Sequence, residues 1–191
     1  LLLPLVGWRG LFWGVAAMLA LAMLLIALRV PRDAAAVPAA ANAAPPGGYA
    51  EVLRHPLFRR MAPPGFFVYG GLIAVQALWA GPWLTRVGGL SPQAAAAGLF
   101  VINLSMLFTF MGWGMAMPHL VKRGLDAAGL MTWGVPVALA LLALNIALGA
   151  DAGAWHWAAW CVSCSVVSLS QPAVGMAFPT AQAGRALSAF N

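Results

Sequence analysis

The sequence predicts an all-α fold, a polytopic membrane helix bundle of about five transmembrane helices, and three observations predict it. Of 191 residues, 63% are hydrophobic and 7% charged, whereas soluble domains average about 45–50% apolar and about 25% charged. The apolar residues gather into runs of about 20, the length a helix needs to cross about 30 Å of hydrocarbon at 1.5 Å rise per residue. All four acids (Asp33, Glu51, Asp126, Asp151) and all ten bases lie outside these runs or at their edges. A Lys, Arg or Asp at a span centre costs about 2.5–3.5 kcal/mol, so this segregation is the mark of a bilayer.

The first span is expected over residues 10–28, closed by Arg29, Pro31 and Arg32. The others follow over 64–84, 94–117, 130–148 and 155–178. The start at Leu1-Leu2-Leu3-Pro4, without Met, basic leader or cleavage site, reads as an internal piece of a longer chain rather than a signal peptide. Between the first two spans, residues 31–48 form an Ala/Pro/Gly tract expected to be a flexible linker. The stretch from Glu51 to Met61 interleaves bases with Val52, Leu53, Leu57, Phe58 and Met61. Such a segment can lie on an anionic inner leaflet with its apolar residues dipped in, or form a solvated basic loop. The remaining connections are short, so neighbouring spans should be antiparallel.

Five alternating spans place Arg29, Arg32, Arg54, Arg59, Arg60, Lys122, Arg123 and Arg185 on one side, and Arg9 and Arg86 on the other. The base-rich side, including the 30–62 loop, is expected to be cytoplasmic in a multi-pass protein of the cell (inner) membrane. Trp8, Trp13, Trp79, Trp83, Trp155, Trp157 and Trp160 collect toward the opposite ends and read as an outer aromatic belt. The net charge of +6 therefore orients the chain; no basic stripe with interleaved aromatics points to nucleic acid.

Polar side chains are unevenly shared. The second span sets Tyr69, Gln76 and Trp83 seven apart on one helical face, with Ile73 and Trp79 close by. The third carries Asn103, Ser105 and Thr109, and the fifth Ser163, Ser165, Ser168, Ser170 and Gln171. The first has no polar side chain between Trp13 and Leu28, and the fourth only Thr132 and Asn145 near its ends. Gln76, Gln171 and Asn103 can line a solute cavity or bond helix to helix. Tyr69 and Trp79 can box a ligand or pack as ordinary aromatics. The serines suit close packing or bonds to preceding carbonyls, and Asn145 suits an interface. Pro172, beside Gln171, and Pro136 should kink their helices. Gly70, Gly71, Ala74, Gly98, Gly112, Gly114 and Ala116 read as close-packing positions.

Cys161 and Cys164 form a Cys-x-x-Cys without a second ligand pair, and read as two small buried hydrophobes. His55, His119 and His156 fit no metalloprotease or triad spacing. No catalytic set, metal or cofactor is expected, and the chain does not read as an enzyme.

Several segments together resemble one family. Gly7-Trp8-Arg9-Gly10-Leu11-Phe12 precedes a span, a long basic loop follows, and His55-Pro56-Leu57-Phe58-Arg59-Arg60 leads into the next. Pro118-His119-Leu120-Val121-Lys122-Arg123-Gly124 forms a short basic loop. Phe178-Pro179 is followed by Gly184-Arg185-Ala186-Leu187-Ser188 and Asn191. This pattern resembles the middle of a major facilitator superfamily transporter, from the tail of helix five (Leu1 to Val6) through helix ten. The resemblance implies residues 1–29 as the end of the N-terminal half, 30–62 as the cytoplasmic linker and 63–191 as a truncated C-terminal half. It implies secondary active or facilitative transport of a small-molecule solute by alternating access in the lipid bilayer, completed by missing helices of the same full-length chain. It also implies that helices seven and ten line the cavity, the second and fifth spans here. A non-transporting membrane scaffold or sensor is the other reading. The substrate-binding residues expected are Gln76, Gln171, Asn103, Tyr69 and Trp79.

Overall fold

The computed structural model describes residues 3–29 and 48–191, with side chains from Gly7 onward in the first segment. Every regular element among them is helical. The chain divides into two compact units, Leu1–Pro45 and Pro46–Asn191. The linker tract expected over 31–48 falls almost wholly outside the described residues, as do Arg32 and Asp33.

The first unit is one helix, α1 (Leu3–Arg29). It breaks at Gly7 (φ 65°, ψ 170°), a backbone region essentially restricted to glycine. The turn before the break is the part of the expected helix-five tail that lies within the described residues. From Gly7 to Arg29 the helix is long and apolar enough to cross a membrane. Its Met, Leu, Ile and Val side chains are exposed on all sides, as suits a helix that is hydrophobic all round.

The second unit holds α2 (Tyr49–Arg54), α3 (Pro56–Val87), α4 (Pro92–Lys122), α5 (Ala127–Leu148), α6 over residues 154–177 and α7 (Thr180–Phe190). Local chemistry sets the boundaries. Ser91 caps α4 by accepting from the Ala94 amide at 3.3 Å, with Pro92 in the first turn. Asp126 caps α5 by accepting from the Gly129 amide at 2.8 Å. Each satisfies an amide that the first turn leaves without a partner. Glycines with positive φ, Gly89, Gly124 and Gly149, turn the chain between successive helices. These turns are short, so α3 to α6 run antiparallel in sequence order.

Two buried clusters hold the unit together. The first joins Val52, Phe58 and Met61 to Ala127 and Met131 at the start of α5, and to Val167, Val174 and Ala186 from α6 and α7. The second, toward the other end, joins Leu72 and Leu84 of α3, Ile102 and Met106 of α4, and Trp157, Trp160, Cys161 and Cys164 of α6. Arg54, Arg59, Arg60, Lys122 and Arg123 lie at helix ends and Arg185 within α7, on elements that meet the first cluster, and Arg86 lies at the far end of α3.

Some expectations need correction. Among the described residues, four helices are long and apolar enough to cross a membrane: Gly7–Arg29, Pro56–Val87, Pro92–Lys122 and Ala127–Asp151. The fifth expected stretch is helical, but its serines, Gln171 and His156 dilute its apolar character and it is not among the four. The apolar residues of the 51–61 segment do not all face outward. Val52, Phe58 and Met61 are 0–4% exposed within the first cluster, because α2 packs against α7. Residues 180–190, expected as a loop, form α7. The aromatic belt is split: Trp8, Trp13, Trp79 and Trp155 are exposed, whereas Trp157 and Trp160 are buried. Trp157 stacks edge-on with Trp83 at 5.2 Å and with Trp160 at 5.8 Å, a packing worth more than its area. Cys161 and Cys164 sit in this same cluster as buried free thiols.

Interhelical polar bonds are few and specific. Trp113 Nε1 donates to Ser165 Oγ at 2.9 Å, tying α4 to α6. Asn145, fully buried, donates to the His156 carbonyl at 3.3 Å and ties α5 to α6. Among the close-packing glycines, Gly98 fits its role: a Cβ there would meet Ala154 Cβ at 2.9 Å and Leu84 Cδ1 at 3.0 Å. Gly70, Gly71, Gly112 and Gly114 face open space instead. Gly98→Val should therefore push α4 from α6 and destabilise the protein by about 1–3 kcal/mol, measured by thermal unfolding in detergent. Gly112→Val should leave the unfolding temperature within a degree or two, since no neighbour opposes it.

Candidate functional site

A cleft of about 530 Å³ lies between α3, α6 and the end of α7 in the second unit. Sequence builds it in two steps. Pro63 and Pro64 remove two amide donors from the first turns of α3, and the helix widens immediately afterwards into a π-helical segment, Gly65–Tyr69. This segment contributes Gly65, Phe66, Phe67 and Tyr69 to the cleft, followed by Gly70, Gly71 and Ala74. Without side chains, Gly70 and Gly71 leave the wall hollow.

The facing wall comes from α6, which tightens to a 3₁₀ segment at Ser165–Leu169 before resuming at Ser170. It contributes Val167, Ser168, Ser170 and Gln171. Ser170 Oγ donates to the Val167 carbonyl, as expected of a membrane-helix serine. Pro172 has no amide to offer the Ser168 carbonyl four residues earlier; that carbonyl accepts instead from the Ser170 amide at the end of the tightened segment. Gln171 Nε2 donates to Asn191 Oδ1 at 2.7 Å, and Asn191 Nδ2 donates to the Leu187 carbonyl at 3.1 Å. These bonds fix the amide plane and leave the Gln171 carbonyl oxygen outside the pair. The wall mixes aromatic faces, hydroxyls and amides, with no charged side chain among its residues. Such a surface can hold an uncharged solute by stacking and hydrogen bonding.

Of the five expected binding residues, Tyr69 and Gln171 meet in this cleft. Gln76 and Asn103 meet elsewhere: Gln76 Nε2 donates to Asn103 Oδ1 at 2.8 Å across α3 and α4, and Asn103 Nδ2 donates to the Leu99 carbonyl at 2.8 Å. Trp79 is 66% exposed and lines neither place. The expected stripe Tyr69, Gln76, Trp83 is dispersed, because α3 contains three π-helical segments, Gly65–Tyr69, Val75–Trp79 and Trp83–Val87. Each shifts the register away from 3.6 residues per turn. Trp83 instead donates to the Ala152 carbonyl at 3.3 Å.

Sequence reasoning missed Gly65, Phe66, Phe67, Phe190 and Asn191 as lining residues. The Pro63-Pro64-Gly65 run was the available signal for the first three. Nothing in the sequence signalled that α7 would fold back to bring Phe190 and Asn191 to Gln171. Among the described residues, no three His, Cys, Asp or Glu gather as metal ligands.

Among its described residues the chain is thus all-helical, with four helices long and apolar enough to span a membrane and an uncharged cleft that mixes apolar surface with hydroxyls and amides. Compared with protein-family models, curated proteins and solved structures, it matches none.

Cleft accessibility can be probed directly, because the native thiols are buried. Gly71→Cys should react with a water-soluble maleimide about tenfold faster than Cys161 and Cys164, which burial shields from the reagent. Labelling no faster than the native background would show that the cleft is closed to water.

Proposed function

We propose that this chain forms part of a carrier that moves a small uncharged solute across a membrane by alternating access, by secondary active or facilitative transport. The observation that carries the reading is the uncharged cleft between two distorted helices, α3 and α6, whose largely apolar wall carries a few hydroxyls and amides. Irregular helix at membrane depth is tolerated where it borders a cavity or is buried in protein, and discontinuous helices are the usual material of transporter sites. The concentration of polar side chains on α3, α4 and α6, and the resemblance to the major facilitator superfamily, support the same reading. In it, Tyr69 and Gln171 touch solute, α6 serves as a fifth span, and the base-rich helix ends face the cytoplasm. The exposed Gln76–Asn103 pair then faces a water-filled path or further helices of a longer chain, and lipid covers α1.

The scaffold or sensor reading draws on one specific observation. Both amides of the two pairs are already bonded to each other, Gln76 to Asn103 and Gln171 to Asn191, as helix-to-helix glue would be.

Equilibrium binding of uncharged amphipathic solutes, followed by flux in proteoliposomes of the full-length protein, separates the two. A carrier should bind a solute that Gln171→Ala weakens about tenfold, the order of one buried hydrogen bond left unmade. Gln76→Ala should weaken it less while the protein remains folded. Unchanged affinity in both variants would reject the proposed site.

A further inference from the structure

A second cleft, about 280 Å³, opens between α3 and α5 at the base-rich end. It has room for about nine waters at about 30 Å³ each, enough for a small polar headgroup. Its walls are apolar, with Met61 and Met131 buried to 2% and 5% exposure. Arg60 is its charged lining residue and is itself exposed. Both helices carry a proline here, Pro64 in α3 and Pro136 in α5, and each lies four residues after another lining residue, Arg60 and Thr132.

That spacing matters because a proline offers no amide to the carbonyl four residues earlier. The Arg60 and Thr132 carbonyls both lose their helical partner, and both residues border the same cleft. Gly65, the next residue in α3 with an amide, is committed to the Met61 and Ala62 carbonyls. Thr132 Oγ1 donates its proton to the Ala128 carbonyl at 2.8 Å, so its hydroxyl offers only lone pairs to the cleft. One cationic fork and a set of acceptors therefore stand side by side against a greasy wall. Arg60 and Thr132 each lie about 6–8 Å along their helices from the start, within the first two turns at the base-rich end.

We propose that this cleft binds a membrane phospholipid with an ethanolamine headgroup. The Arg60 guanidinium takes the phosphate, a pairing for which its planar fork is suited. The ammonium donates to the Arg60 and Thr132 carbonyls and to Thr132 Oγ1, and the acyl chain lies along the more accessible apolar lining of Pro64, Val135 and Pro136. Inorganic phosphate alone would leave the carbonyls and this apolar lining unused, and a free amine would meet Arg60 as a like charge. A choline headgroup has the phosphate but no donor hydrogen. This site is independent of the solute cleft and of the transport reading.

The test uses the 191-residue chain purified in detergent, with dioleoyl lipids bearing ethanolamine, choline or glycerol headgroups, and counts retained lipid by native mass spectrometry. Ethanolamine lipid should be retained about tenfold over choline lipid, the order of one hydrogen bond to a charged group. Arg60→Gln should lower that retention about fivefold, the effect of one basic residue near a membrane surface. Pro136→Ala returns a helical partner to the Thr132 carbonyl; it should reduce the ethanolamine preference while leaving the thermal unfolding temperature, read by Trp fluorescence, unchanged or higher. Equal retention of choline or glycerol lipid overturns the headgroup assignment. Displacement by inorganic phosphate at millimolar concentration overturns the lipid as occupant, and a preference untouched by both variants places the lipid elsewhere.

Discussion

In hydrocarbon, every backbone amide and carbonyl must find its partner within the protein, and that one constraint organises this chain. It explains why each element is a helix, since a helix satisfies its backbone within the segment. It also makes each proline consequential. Pro63, Pro64, Pro136 and Pro172 each withdraw a donor, and the two clefts described above each border a residue four positions before such a proline. Where regular helix would have left a smooth greasy surface, these positions leave polar atoms that a solute, a lipid or water can meet.

Packing within this frame is achieved by few contacts of high quality. Two clusters at opposite ends clamp α3 to α6, the far one around edge-stacked indoles and the near one around Val52, Met61 and Val167. Because α2 and α7 also belong to the near cluster, the base-rich end is closed by short helices rather than by open loops. The same folding-back brings Asn191 to Gln171, so the cleft between α3 and α6 depends on an element that is not itself a long apolar helix.

Much of the architecture was legible because it rests on length and charge. Long apolar runs, acids and bases at their edges, and short turns with Gly, Ser or Asp suffice to place α1 and α3 to α5. The internal register of α3 was not legible. Tyr69, Gln76 and Trp83 share a face only if every turn holds 3.6 residues, and three wider segments send them to a cleft, to Asn103 and to Ala152 respectively. The inward turn of Val52 and Phe58 was hidden for a different reason. An amphipathic stretch looks the same in sequence whether its apolar face meets acyl chains or the protein's own core. Gln171 and Tyr69 could be found because a polar residue amid apolar ones stands out; Phe66, Phe67 and Phe190 could not, since an aromatic in a greasy run carries no such contrast.

The first helix holds one more consequence. Its side chains present no polar stripe and no preferred apolar face between Trp13 and Leu28. At one end the Arg9 guanidinium sits 5.0 Å over the Trp8 ring, and at the other stands Arg29. Anchors of this kind fix how deep a helix floats, but nothing along its length tells it which way to turn. Its vertical position is encoded in its own residues, whereas its compass bearing must be supplied by whatever it touches.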